Sequence, residues 1–146
     1  MVDGLTLAEL GLVVLLLAAL APVVWLVARR RWLASSGWVF DCSLRAPATT
    51  PSPKWMLGVA RLNGENMEWY RVFSASLRPK YTIRRGQVHV VMTRVLSPDE
   101  RALLFDQERV ALLRGGAGDI ELAMAPDRMT ALLSWLESSP PGSTYA

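Results

Sequence analysis

The 146 residues carry a net charge of +3 and one cysteine, Cys42, so an intramolecular disulfide is excluded and a reducing compartment fits. The charge is unevenly spread. Ala28 to Pro98 holds twelve Lys/Arg against three Asp/Glu, whereas Asp99 to the end holds four Arg against eight acids. A domain with a basic and an acidic side follows.

In chain order the first element is an uncharged run of nineteen residues, Leu10–Ala28, ending against Arg29, Arg30 and Arg31. This approaches the ~20 apolar residues that cross a bilayer core as a helix. Thr6-Leu7-Ala8-Glu9 has capping-box form, which predicts Thr6 as the N-cap and Glu9 at headgroup depth. Pro22 is tolerated in a membrane helix. Trp25 and Trp32, on one helix face near the basic end, have the placement of interfacial anchors. No Lys or Arg precedes the apolar run, and Pro22 would follow the Ala19-Leu20-Ala21 cut. The segment therefore reads as an uncleaved anchor rather than a signal peptide. The arginines on its C-terminal side put the N-terminus outside and the remainder in the cytoplasm of a single-pass cell-membrane protein. The expected division is an anchor over 1–31 (helix about 7–28 plus the arginine flank), a β-rich domain over 32–142 and a tail over 143–146.

Trp38–Leu44 alternates as a half-buried strand, with Trp38, Phe40, Cys42 and Leu44 on the apolar face. Ala46–Pro53 is a proline-rich loop. Trp55–Leu62 and Met67–Phe73 read as a hairpin about Asn63-Gly64, with Met67, Trp69 and Phe73 facing the core and Arg71 on the same face, where it sits at a rim, snorkels or marks a bulge. Short strands follow to Ile83 and over Gln87–Thr93, the latter with Val88, Val90 and Met92 on one face and His89 on the other. Ser97-Pro98-Asp99-Glu100 starts a helix to about Phe105. Arg109–Leu113 and Ile120–Met124 flank a glycine-rich hairpin turn lacking the spacing and lysine of a phosphate loop. Pro126–Glu137 is an amphipathic helix on Met129, Leu132, Leu133 and Leu136, with Trp135 beside the stripe and Pro140-Pro141-Gly142 as its stop. The resulting class is α+β: an N-terminal transmembrane helix, then a small, mostly antiparallel β-sandwich or barrel closed by a C-terminal helix. That order is pleckstrin-homology-like.

The candidate binding residues are basic. Trp69–Pro98 contains Arg71, Arg78, Lys80, Arg84, Arg85 and Arg94 and no acid. Such a patch suits an acidic protein surface or anionic lipid headgroups, with Arg29–Arg31 adding to it. The Trp-rich hairpin and Arg71 are expected to supply partner contacts. Stacked aromatics and nucleic-acid motifs do not accompany the basic residues, so nucleic acid is not expected. One His, one Cys and the absence of zinc spacing or a nucleophile elbow leave catalytic, metal and cofactor sites unassigned. The expectation is a non-enzymatic, membrane-anchored adaptor for a membrane-associated complex, with anionic-lipid binding and an enzyme of unknown class as alternatives.

The N-terminal span with its arginines, Gly37–Arg45, Trp55–Leu62, Glu68–Phe73, Leu77-Arg78-Pro79, Glu121–Met124 and Ser134–Glu137 together resemble a family of small actinobacterial membrane proteins, domain-of-unknown-function family 2550. The family has no established activity, so the resemblance implies no catalytic residue. Its members are often encoded beside ATP synthase genes, which implies a link to that complex or its membrane.

Overall fold

The computed structural model describes residues 3–35, 37–46, 54–105, 108–116 and 118–138. The expected proline-rich loop (apart from Ala46), the Pro140–Gly142 stop and the 143–146 tail fall outside them. The chain divides into two units, Met1–Ser36 and Gly37–Ala146.

The first unit is one helix, α1 (Gly4–Ala34), 31 residues long with Pro22 inside it. Its most apolar window has a mean hydropathy of 2.8 and is not buried by the protein. The uncharged Leu10–Ala28 stretch rises about 28 Å as a helix, against a hydrocarbon core of about 30 Å. The helix is therefore long and apolar enough to cross a bilayer. Two boundaries differ from expectation. Asp3, not Thr6, occupies the N-cap position, and no side-chain cap bond forms there. Thr6 lies in the first turn, where its hydroxyl donates back to the Asp3 carbonyl at 2.6 Å. At the other end the helix continues through Arg29–Arg31 to Ala34, because nothing in that segment breaks it.

The second unit packs two four-stranded antiparallel sheets. One has the order β1 (Trp38–Asp41), β3 (Gly58–Asn63), β4 (Asn66–Arg71), β5 (Tyr81–Arg84). The other has the order β2 (Ser43–Arg45), β8 (Gly118–Met124), β7 (Arg109–Gly115), β6 (Val88–Val95). The expected single strand Trp38–Leu44 is thus two, and the chain passes from one sheet to the other at Cys42. A short helix, α2 (Pro98–Arg101), and a longer one, α3 (Pro126–Glu137), complete the unit. The architecture is the α+β arrangement of mostly antiparallel sheets and a C-terminal helix expected from the sequence.

The main core lies between the sheets. Phe40, Cys42, Leu44, Ala60, Met67, Trp69 and Ile83 meet Ala111, Leu113, Ile120, Leu122 and Met124, with Met129 and Leu132 of α3 packed among them. Side chains alternate along a strand, so Val110 and Ala123 point the opposite way. They join Leu96 and Leu104, with Trp55 against them, in a second cluster on the outer face of the β2-β8-β7-β6 sheet. Apolar side chains on both faces explain why Val110–Leu113 reads as a continuous apolar run.

Two local predictions are corrected. Phe73 is 83% exposed rather than in the core, because β4 ends at Arg71 and the chain turns out at Val72. Arg71 is exposed at that strand end, the rim placement among those expected for it. Met92 leaves the face of Val88 and Val90, since the register shifts between Val90 and Met92 and the extra residue turns the strand over. The Asn63↔Asn66 pair places Gly64 and Glu65 at the hairpin centre, and Gly64 supplies the positive φ of 59°. The capping box at Ser97 and Glu100 forms as expected.

Candidate interaction surface

Most ionised side chains with partners in the β domain serve its fold. On the outer face of the β2-β8-β7-β6 sheet, Arg94 forms two bonds to Glu100, at 2.6 and 2.8 Å, and a third to Glu121 at 3.1 Å. Arg45 pairs with Glu121 and reaches Glu100 at 3.3 Å. The Arg45 guanidinium also lies 4.6 Å from the Trp55 ring centre, and the Trp55 indole donates to Glu100 at 3.3 Å. Bonds from Arg94, then the Ser97 amide, outweigh burial and pull the Glu100 carboxyl down to about 2. The bonds to Glu100, then Glu121, hold the Arg94 guanidinium above its usual range against the opposing effect of burial. A carboxylate this acidic is a poor proton donor near neutrality, so the cluster is a clamp rather than acid–base machinery. On the other sheet, Arg61 pairs with Glu68 directly across the β3–β4 ladder, and the Tyr70 hydroxyl donates to Glu68 at 2.8 Å.

Cys42 is 2% exposed, and burial first, then the nearby Glu108 and Asp41 carboxylates, push its thiol far above the usual range. That thiol is inert in the folded state. His89 is exposed on β6 and registers opposite Arg114, which in turn pairs with Asp119 at 2.9 Å. Among the described residues, no three His, Cys, Asp or Glu side chains gather as a metal site.

The strand register separates the basic residues. Arg71 closes β4 opposite Gly58, and Arg78 and Lys80 lie in the connection to β5, so these three share one end of the sheet. Arg84 registers with Asn66 at the other end, and Arg85 follows it. The span of β5 puts roughly 10–13 Å between the two groups, more than the Debye length of about 8 Å at physiological salt. Arg84 pairs with Glu65 at 3.2 Å. Arg85 donates to the Ser138 hydroxyl at 3.0 Å and lies 5.6 Å from the Trp135 ring centre. Arg94 belongs to the other sheet and to the clamp described above. Trp25, Arg29, Arg30, Arg31 and Trp32 all lie on α1.

The tryptophans of the β domain are also mostly structural, which corrects the expectation that the Trp-rich hairpin supplies contacts. Trp69 is fully buried, and its indole donates to the Cys42 carbonyl at 2.8 Å. Trp135 packs against the core and donates to the Gly64 carbonyl at 2.9 Å, tying α3 to the β3–β4 turn. Apart from Trp38, Val91 and Met92 on their strands, the exposed large apolar side chains of the β domain lie elsewhere, in two sets. One set is Phe73 and Leu77 in the β4–β5 connection with Leu57 before β3; Leu57 accepts the Val72 amide at 3.1 Å. The other is Val95, Leu103 and Phe105, next in sequence to the buried Leu96 and Leu104. Hydrophobic periodicity assigned Phe73 inward. The opposing signal was the Ser74-Ala75-Ser76 run and Pro79, which end strand geometry early.

Against curated proteins, the chain is 32% identical over 131 residues to an uncharacterised protein of Mycobacterium leprae, covering 87% of this chain and 88% of that one. It is 30% identical over 135 residues to an uncharacterised protein of Mycobacterium tuberculosis (strain H37Rv), covering 90% of each. Among solved structures, it is similar to the pleckstrin homology domain of ArhGAP27, with a TM-score of 0.44, 13% identity, and 68% and 96% of the two chains covered. Residues 15–142 match the family model described as protein of unknown function DUF2550, so the chain belongs to the DUF2550 family.

Proposed function

We propose that this chain is a single-pass membrane protein that holds a non-catalytic binding domain at the cytoplasmic face. The observation that carries this reading is α1. Its uncharged stretch matches the bilayer core, it is not buried by the protein, and it runs directly into Arg29–Arg31. Three residues then lead to β1. The distribution of basic charge supports a β domain on the cytoplasmic side and an N-terminus outside.

The case against catalysis rests on how the reactive groups are used. Glu100 is locked ionised between two arginines, and the Cys42 thiol is buried. His89 lies on an exposed strand face beside Arg114. The domain instead offers exposed apolar side chains next to rigid packed clusters, which suits recruitment of a protein partner. Val95, Leu103 and Phe105 are the residues assigned to that contact. The partner class is a membrane-associated complex, and ATP synthase is the first to examine.

The test is co-purification of the intact chain in mild detergent, with probing for ATP synthase subunits. A complex retained by the full chain and lost on replacing Leu103 and Phe105 with Asp, while Cys42 stays protected, supports the adaptor role. Retention by α1 alone, after deletion of Gly37–Ala146, contradicts it.

A further inference from the structure

Phe73 is the most exposed large apolar side chain among the described residues of the β domain, at 83%. It lies in the β4–β5 connection with Leu77, and Leu57 adjoins it through the bond between the Val72 amide and the Leu57 carbonyl. Cations surround this apolar group. Arg71 precedes it, Arg78 and Lys80 follow it, and Lys54 lies three residues before Leu57; all four are exposed. The sequence between Glu68 and Asp99 contains no acid. The Lys80 ammonium lies 3.6 Å from the Met56 sulfur, so it is held beside the same short segment. The connection is also ordered. The Ser76 amide donates to the Ser74 hydroxyl at 3.2 Å, the Arg78 amide to the Ser76 hydroxyl at 3.1 Å and the Lys80 amide to the Trp69 carbonyl at 2.8 Å.

We propose that this tip is a second membrane contact: Phe73, with Leu57 and Leu77, enters the headgroup–acyl boundary of an anionic bilayer while Lys54, Arg71, Arg78 and Lys80 engage lipid phosphates. The inference rests on the anchored reading above and deepens it. An apolar tip with a cationic collar gains from both terms of interfacial binding, apolar burial and attraction to anionic lipid. A neutral or basic surface would leave the collar uncompensated. A span in the same chain makes the encounter intramolecular, so a contact too weak to recruit a free domain suffices to orient an anchored one. Ordering of the connection before contact lowers the entropic cost of docking.

The test uses the full chain carrying Ala75→Cys, labelled with a fluorophore sensitive to lipid-phase quenchers. Ala75 is exposed in the connection, and Cys42 is buried, so the label goes to residue 75. The labelled chain is reconstituted into vesicles of phosphatidylcholine alone or of equal parts phosphatidylcholine and phosphatidylglycerol. Quenching in the anionic vesicles, weak in the neutral ones, is expected. It should fall by roughly tenfold or more in population on combining Arg78→Glu and Lys80→Glu, and also fall with Phe73→Ser. Continued protection of Cys42 shows that each variant is folded. A chain that floats with the vesicles but shows no quenching in anionic lipid overturns the proposal and leaves the anchored reading standing. So does equal quenching in both vesicle types that the charge reversals leave unchanged. A chain that does not float contradicts the anchored reading itself, and with it this one.

Discussion

The Trp69 indole donates a 2.8 Å bond to the carbonyl of Cys42, the residue at which the chain passes from one sheet to the other. A buried tryptophan on β4 therefore satisfies a backbone group at the corner that joins the two layers. Trp69→Phe keeps most of the buried area but orphans that carbonyl, and a loss of about 1–3 kcal/mol is expected. Trp69→Ala adds a cavity and should cost about 3–5 kcal/mol. Chemical denaturation of the two variants distinguishes the hydrogen bond from the packing.

Gly58 is a dependent feature of the same contact. A Cβ at Gly58 would sit 2.1 Å from Cζ2 of Trp69, deep inside contact distance. Gly58→Ala is expected to destabilise by about 1–3 kcal/mol through overpacking of a fully buried ring. At Gly64, by contrast, a Cβ meets nothing within 4 Å, but the φ of 59° disfavours it. Gly64→Asn should be tolerated better than Gly64→Val, since asparagine adopts that region at lower cost. Thermal unfolding of the three variants tests both statements.

The Cys42 thiol should be silent towards thiol reagents in the native protein and react as the domain unfolds. Its labelling rate against denaturant concentration then reports opening of the inter-sheet core. Rapid labelling under native conditions would contradict its 2% exposure.

Acid stability follows from Glu100. Its carboxyl falls from an ordinary 4.5 to about 2, chiefly through Arg94. A depressed folded value stabilises above the unfolded one, so the contribution is complete above about pH 5 and is lost as pH falls towards 2. Its size is on the order of 2–3 kcal/mol. Glu100→Gln should flatten this acid limb in a pH series of denaturation midpoints. Glu108 has the opposite sign. Burial and Asp41 raise its carboxyl, and its Oε2 lacks a hydrogen-bond partner among the described residues. Glu108→Gln should therefore raise the midpoint at neutral pH and lose that advantage as the solution is acidified.

Legibility tracked physical mechanism. The long apolar helix, the strand periodicity, the Ser97–Glu100 capping box and the α3 stripe are local patterns, and each forms. Two interruptions of period two were not legible. Alternation runs unbroken through Cys42, although the chain changes sheets there, and the irregularity between Val90 and Met92 reverses the faces of β6 without a glycine to announce it. Whether the basic residues form one patch was not legible for a related reason. Nearness in sequence joined Lys80 to Arg84, but an extended strand carries them to opposite ends of a sheet. Arg94 reads as part of a surface patch, although Glu100 lies only six residues on, because sequence does not show which way the strand turns that side chain; its other partner, Glu121, lies 27 residues away.

The most direct measurement of the central claim is labelling of two single-cysteine additions, Gly4→Cys and Ala75→Cys, by a membrane-impermeant maleimide in intact cells making the full chain. Cys42 is buried and stays dark. The anchored, cytoplasmic-domain reading predicts labelling at Gly4→Cys in intact cells and at Ala75→Cys only after permeabilisation. Labelling of Ala75→Cys in intact cells, or release of the chain into the soluble fraction, would contradict it.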